Sequence, residues 1–438
     1  MCQKTLLLLC LPFGEAYGSL IVIPKSLLSP EVVLEWWNNM LRRKKILMVS
    51  CQHWKSPIQV GDHLLARQFL DAGWQVGFVS DPVTPFHLVN GFELKPRLKN
   101  YLSGGVREKD GDLWGYVPGG LVMPYNLPCL KSRWVHSFWQ NLTFPNLVQQ
   151  VRKNGFDEVD VLYFRTAKQA FWLDRIKSDV SVFRVADSDS GFFDYNDEVC
   201  RREQALVQRA DLTVYTSKPL EDYVTRLNPR DTLYLPNGVE FDFFSRPMIK
   251  PTEYREFSGP IAVHVGSALP ERFDFELVDL LTKKFSEVQF VFVGPDAELR
   301  RRLHQRPNLH LLGPRPYGVT PGYMQHADVG LILLDADKNP VLVNSTNPLK
   351  LYQYLASGLT VVSMQWDALK NLAPPAFLAK NRDEFIRYTE DVLSGNCFDP
   401  EELMLYAKNF DWKIQFDNFC NRIENISENK LLSRAVDK

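Results

Sequence analysis

Residues 339–363 read NPVLVNSTNPLKLYQYLASGLTVVS, and the informative part starts at Asn347. Asn347 is a good N-cap, Pro348 suits the first helical position, and Gly358 falls where a left-handed residue ends a short helix. A strand from Leu359 to Met364 follows. Leu349, Tyr352 and Leu355 recur at helical spacing and face a core, which leaves Lys350 and Gln353 together on another face. In the first turn the free N–H groups, the helix dipole and the Lys350 ammonium converge on one anionic group, most economically a pyrophosphate. A capped surface helix with a solvated lysine is the plainer reading of the same residues.

On both sides of this helix short apolar runs alternate with amphipathic ones. Pro260 to Val265 is a strand ending in Gly266-Ser267, where glycine allows close backbone approach to a ligand. Val288–Val293, His310–Gly313 and Asp328–Leu334 are further strands, with a helix around Gly322–His326. Nearer the start, Lys45–Ser50 is a strand, Cys51–Gly61 a polar loop, Asp62–Ala72 a helix with Leu64, Leu65, Phe69 and Leu70 on its apolar face, and Gln75–Ser80 the next strand. Val159–Phe164, Val180–Ala186 and the run ADLTVYTS add strands, and Asp197–Arg209 is a helix. Strand, loop, helix, strand in this order is the doubly wound α/β fold, whose ligands bind at the carboxyl ends of parallel strands. Asp187 directly follows a strand of that kind and projects into such a cleft. Its plainer role is to cap the next segment together with Ser188 and Asp189, and Asp189 and Asp194 stand as alternatives to it.

The chain has 438 residues, too many for one core, so two domains are expected. The expected divisions are an extension over 1–43, domains over 44–240 and 241–405, and a C-terminal helix and tail over 406–438. Residues 82–142 are rich in Pro, Gly, aromatic and basic residues; they suit a variable ligand-binding region, with exposed aromatics to stack on a ligand's rings, or an ordinary insertion with its own small core. Residues 1–39 lie outside the expected fold: either translation starts at Met40, or a helix bearing Trp36, Trp37, Met40 and Leu41 lies on an anionic membrane surface or packs on the domain.

Hydrophobic residues make up 45% and charged residues 24%, the balance of a soluble globular chain. The 51 basic and 52 acidic side chains nearly cancel, which argues against nucleic acid as a partner. Seven cysteines without a C-x-x-C pair argue against a zinc site and a disulfide framework, and point to a reducing, cytoplasmic compartment. No apolar run approaches the roughly 18 residues that span a bilayer.

The segment at Lys350, Leu351, Gln353, Tyr354, Gly358, Val361 and Val362 resembles the donor-site pattern K-L-x-E/Q-Y-x-x-x-G-x-P-V-V of the GT-B glycosyltransferases, with Thr360 in place of its proline. Pro236-Asn237-Gly238-Val239, with Glu240 and Phe244, is similar to the signature that closes their N-terminal domain. Tyr323, Ala327, Asp328, Val329 and Leu331 follow a further pattern of the family. Within that family the inverting, membrane-associated glucuronosyltransferases of xanthan biosynthesis are the most similar, and FRVADSDSG resembles their Y-R-x-S-D-G segment, although the glycine comes later here, at Gly191.

The resemblance covers roughly residues 44–425. It implies two Rossmann-like doubly wound domains facing a cleft, with a C-terminal helix crossing back onto the first. It further implies an enzyme that moves a sugar from a nucleotide-diphosphate donor, a uridine diphosphate by family frequency, to a saccharide or lipid-linked saccharide in cell-surface polysaccharide synthesis. The enzyme would be peripheral on the inner face of the membrane.

Such chemistry needs charge stabilisation on the departing diphosphate and, for inversion, a base for the acceptor hydroxyl. Asp187 is the candidate base. Gly266, Ser267, Arg315, Asn347, Lys350 and Gln353 are the donor-side candidates. His53, Ser56, Gly61 and His63 are the acceptor-side candidates. No metal and no cofactor is expected: Asp187-x-Asp189 has the spacing of a metal motif but sits in the wrong domain. Gln353 stands where retaining members usually carry glutamate. Retaining transfer, a nucleotide-sugar epimerase of the same fold and a non-catalytic carbohydrate-binding protein are the alternatives.

Overall fold

The computed structural model describes residues 42–87, 93–191 and 195–436, together with two short strands, Leu6–Leu9 and Ile21–Pro24, that pair antiparallel. Residues 1–44 and 45–438 are separate units. The helix expected around Trp36–Leu41, Asp194 and the Asp189 side chain lie outside what is described. Among the described residues no helix is long and apolar enough to cross a membrane.

The larger unit holds two parallel sheets. In the first, β1 (Lys45–Val49), β2 (Gln75–Val79), β3 (Val106–Glu108), β4 (Leu113–Tyr116), β5 (Glu158–Phe164), β6 (Lys177–Val185), β7 (Leu212–Tyr215) and β8 (Thr232–Tyr234) lie in the order β8-β7-β6-β5-β1-β2-β4-β3. Only the β3–β4 pair is antiparallel. In the second, β9 (Ile261–Val265), β10 (Gln289–Val293), β11 (Leu309–Gly313), β12 (Val329–Ile332), β13 (Val361–Met364) and β14 (Phe377–Ala379) follow the order β11-β10-β9-β12-β13-β14. This is the doubly wound α/β architecture expected from the alternating pattern.

The near-continuous apolar strands follow from burial on both faces. Ile46, Leu47, Met48 and Val49 are all fully buried, with Leu47 and Val49 in one core cluster and Ile46 and Met48 in another. Strand order reverses between β1 and β5 in the first sheet and between β9 and β12 in the second. Crevices at the carboxyl ends of these pairs are where such sheets bind ligands.

Helix α1 (Gly61–Asp71) follows β1, and α2 (Asp197–Arg209), capped by the Asn196 side chain, packs between β6 and β7 in sequence. The opening stretch differs from expectation. A short helix α3 (Pro340–Ser345), capped by Asn339, takes the Asn-Pro start signal one step earlier. The longer helix α4 (Leu349–Ala356) begins after Pro348 and ends in a left-handed Gly358 at φ 69°. Asn347 is therefore not its N-cap: its side-chain amide donates to the Thr216 carbonyl at 2.8 Å.

Within residues 82–142, β3 and β4 form one edge of the first sheet, and several of the aromatic side chains are core. Trp114, Tyr116 and Trp139 are buried; Trp134 and Phe138 are exposed and stacked at 5.6 Å. Helix α5 spans Trp412–Val436. Its Phe416 and Phe419 rings meet Phe69 of α1 edge-on at 4.9 and 6.0 Å, Lys430 pairs with Asp211 at 2.7 Å, and Arg422 pairs with Asp231. Each buried ring contributes about 1.5–3 kcal/mol, so these contacts hold the helix on the first sheet.

Candidate active site

The loops that leave both switch points line a single cleft of about 590 Å³. Ser50–Gln52 follow β1, Arg165–Lys168 follow β5, Ala186–Asp187 follow β6, Gly266–Ser267 follow β9 and Leu334 follows β12. The start of α1 and the segment Thr346–Lys350 complete the wall.

On the side of the second sheet, Gly266 adopts φ 130°, which L side chains rarely take, and a Cβ there would come within 3.2 Å of Lys350 Nζ. The chain turns tightly enough that a Cβ on Gly294 would strike the Gly266 carbonyl at 2.2 Å. Lys350 thus lies over an open backbone turn. Burial, and then the charge of Arg272, lower its pKa to about 7. Gln353, one turn further along α4, also lines the cleft.

On the side of the first sheet, Asp187 is about one-fifth exposed. Its Oδ2 faces Arg165 at 3.8 Å and its Oδ1 faces Arg272 at 3.9 Å. The Thr346 hydroxyl lies 3.1 Å from Asp187 Oδ1 and 2.9 Å from the Leu342 carbonyl, and has one proton to share between them. Asp187 thus meets groups from both sheets.

A buried polar relay forms part of the cleft wall. Asp62 accepts from Ser50 at 2.7 Å, Tyr163 at 2.8 Å and Arg184 at 3.3 Å. Arg184 donates to Asn237 at 2.6 Å, Asn237 donates to the Asn347 carbonyl at 2.7 Å, and Asn347 returns to Thr216. Gly61 belongs here because a Cβ would sit 2.7 Å from the Arg184 guanidinium. The donor-side segment is thereby tied to the first sheet through hydrogen bonds among buried groups.

Of the expected donor-side residues, the structure brings Gly266, Ser267, Asn347, Lys350 and Gln353 to the cleft, but not Arg315. The Arg315 guanidinium is committed to Glu253 at 3.0 Å, Tyr323 at 3.2 Å and the Leu312 carbonyl at 2.6 Å. Of the acceptor-side group only Gly61 lines the cleft. Ser56 and His53 turn inward onto Glu93, at 2.8 and 3.0 Å. His63 accepts from the Val60 N–H at 3.3 Å and donates to the His53 carbonyl at 3.0 Å, which makes it a helix-start brace.

Burial lowers the His63 pKa to about 4. The unfolded chain then binds the extra proton between about pH 6.5 and 4, so folding stability rises with pH across that window and is lost as pH falls through it. His136, also lowered to about 4, acts in the same sense. The urea midpoint is expected to drop between pH 7 and pH 4.5, and to drop less in His63→Gln, whose side chain suits the same capping position without titrating. An equal drop in both proteins would mean that His63 does not contribute to the pH dependence of folding.

Arg165, Arg272, Thr346 and a buried cluster at Tyr195 and Glu203 also line the cleft, where the Glu203 carboxylate accepts from Tyr195 at 2.8 Å and from Tyr223 at 2.5 Å. Arg165 stands at a strand's carboxyl end, the same signal that singled out Asp187.

Residues 48–216 match the family model described as glucuronosyltransferase GumK, N-terminal domain. No curated protein sequence matches the chain. Among solved structures, sucrose-phosphate synthase from Thermosynechococcus elongatus superposes with a TM-score of 0.62 at 13% identity, over 88% of this chain and 99% of that one. The Anabaena protein HepE in complex with UDP gives 0.59 at 15% identity, over 87% and 100%. The α,α-trehalose 6-phosphate synthase from Burkholderia multivorans gives 0.58 at 12% identity, over 89% and 100%. At these identities the likeness is one of fold.

Proposed function

We propose that this chain, a glycosyltransferase of the GT-B fold, moves a sugar from a uridine-diphosphate donor to a hydroxyl of a saccharide or lipid-linked saccharide, with inversion and with Asp187 as the base. The observation that carries this reading is the meeting of two kinds of group in one cleft. Lys350, the Gly266 turn and the first turn of α4 offer positive charge and free N–H groups to a diphosphate, and Asp187 faces them from the first sheet. In the proposed step the acceptor oxygen bonds to the anomeric carbon as its proton passes to Asp187. The bond to the diphosphate breaks, and the electron pair leaves with the phosphate oxygen, whose charge Lys350 meets.

The choice of uridine is supported by the complexes of HepE with UDP and with UDP-glucose. The GumK match over 48–216 supports glycosyl transfer by this chain; a role in surface polysaccharide synthesis at the inner face of a membrane rests on the resemblance of FRVADSDSG to the segment of the xanthan enzymes. An epimerase of the same fold would convert donor with no acceptor present, so assaying the donor alone separates the two.

Lys350→Ala is expected to weaken binding of UDP by about 1.5–3 kcal/mol, roughly 10–150-fold, while the protein stays folded. Isothermal titration of both proteins measures this. Unchanged UDP affinity in folded Lys350→Ala would remove the lysine from the donor site.

A further inference from the structure

We infer that His264 is a positioning residue for the donor site, an uncharged imidazole that holds the Lys350 ammonium over the Gly266 turn. The inference rests on the proposed role of Lys350.

His264 lies on β9 in the run IAVHV and is 1% exposed. Its Nδ1 sits 3.1 Å from the Leu331 carbonyl of β12, an oxygen that can only accept, and the ring also meets the Ser267 backbone; we take the Nδ1–H tautomer, which satisfies Leu331. The Nε2 lone pair then faces Lys350 Nζ at 3.2 Å and can only accept. The rings of Phe273 and Phe292, at 5.2 and 5.5 Å, flank the imidazole and keep water from it.

Burial, and then the adjacent Lys350 charge, hold the His264 pKa well below its usual value, which keeps the ring neutral. One ammonium hydrogen is thereby fixed toward the core and the other two remain for a ligand over Gly266. A flexible lysine loses side-chain entropy when it binds, and one already held in place loses less. The charged groups facing Lys350 are His264 itself and Arg272, with Asp187 beyond Arg272 at 3.9 Å. Arg272 disfavours the ammonium, whereas the His264 lone pair favours it.

UDP-glucose is the suitable probe because its diphosphate diester has no proton that titrates near neutrality. Its affinity for the wild-type protein is expected to fall as pH rises above about 7, with Lys350 losing its proton, and this limb is expected to vanish in Lys350→Ala. His264→Phe keeps a ring but offers no acceptor. It is expected to bind UDP-glucose on the order of tenfold more weakly at pH 7, with the limb moved to lower pH. His264→Gln places an amide oxygen near the Nε2 position, and is expected to restore the limb toward its wild-type place.

A limb in the same place in His264→Phe as in the wild type overturns the inference while leaving Lys350 in the donor site; an unchanged UDP-glucose affinity and an unchanged limb in Lys350→Ala overturn the site itself. Should His264→Phe not fold, ¹⁵N spectra of the wild-type imidazoles decide. A neutral ring protonated at Nδ1 from pH 6 to pH 8 supports the inference, and an Nε2–H tautomer or an imidazolium contradicts it.

Discussion

Asp187→Asn is expected to bind UDP with near wild-type affinity and to lose most of its transfer activity. The substitution keeps the size of the side chain and an oxygen that can accept from Thr346, which stands 3.1 Å away, so the walls of the cleft stay in place. What it removes is the ability to take a proton from the acceptor hydroxyl. General-base catalysis contributes about 10²–10⁴-fold, and a loss of that size in turnover is expected. Near wild-type turnover in the folded variant on its true acceptor would end the assignment. Among the described residues Asp62 and Glu203 are the other carboxylates lining the cleft; Asp62 is held by Arg184, and a large loss in Glu203→Gln with none in Asp187→Asn would move the base to α2.

Arg184→Ala is expected to carry the largest cost to stability. Arg184 is 2% and Asp62 1% exposed, and removing the guanidinium leaves a buried carboxylate with only its neutral donors Ser50 and Tyr163. Breaking a buried pair from one side costs about 3–5 kcal/mol, whereas replacing both partners with apolar groups of similar size costs much less. Urea denaturation of Arg184→Ala, Asp62→Leu and the double variant Asp62→Leu/Arg184→Met measures the difference. The expected order places Arg184→Ala lowest and the double variant above it. Equal destabilisation by all three would mean that the relay matters through packing alone.

The alternation of β1, α1 and β2 was legible because Ile46–Val49 are apolar throughout and α1 carries its buried residues at helical spacing. Helix α2 was legible to its ends, since Asn196 caps its start and the strand run ADLTVYTS begins at Ala210, which is extended. By contrast α3 has only six residues, too few for a period, and its Asn339-Pro340 start repeats the Asn347-Pro348 signal eight residues later. Asn347 reaches Thr216 instead of capping α4, a tertiary contact that the local sequence does not show.

Strand-end logic brought Asp187 and Gly266 to the cleft, and the helix start brought Lys350. It did not separate Arg165 and Arg272 from surface arginines, because a long charged side chain reads the same in either place. The loop Cys51–Gly61 does reach the cleft, through Ile58–Gly61, but its histidines turn the other way, and nothing local in a loop fixes which side faces a ligand.

The central claim is that a uridine diphosphate binds across the Gly266 turn and the start of α4, and a crystal structure of the protein soaked with UDP tests it most directly. The account predicts the β-phosphate within hydrogen-bond distance of Lys350 Nζ, against Gly266 and Ser267, with Asp187 left uncovered on the opposite wall. UDP bound anywhere else, or an empty cleft at millimolar UDP in well-ordered crystals, would contradict it.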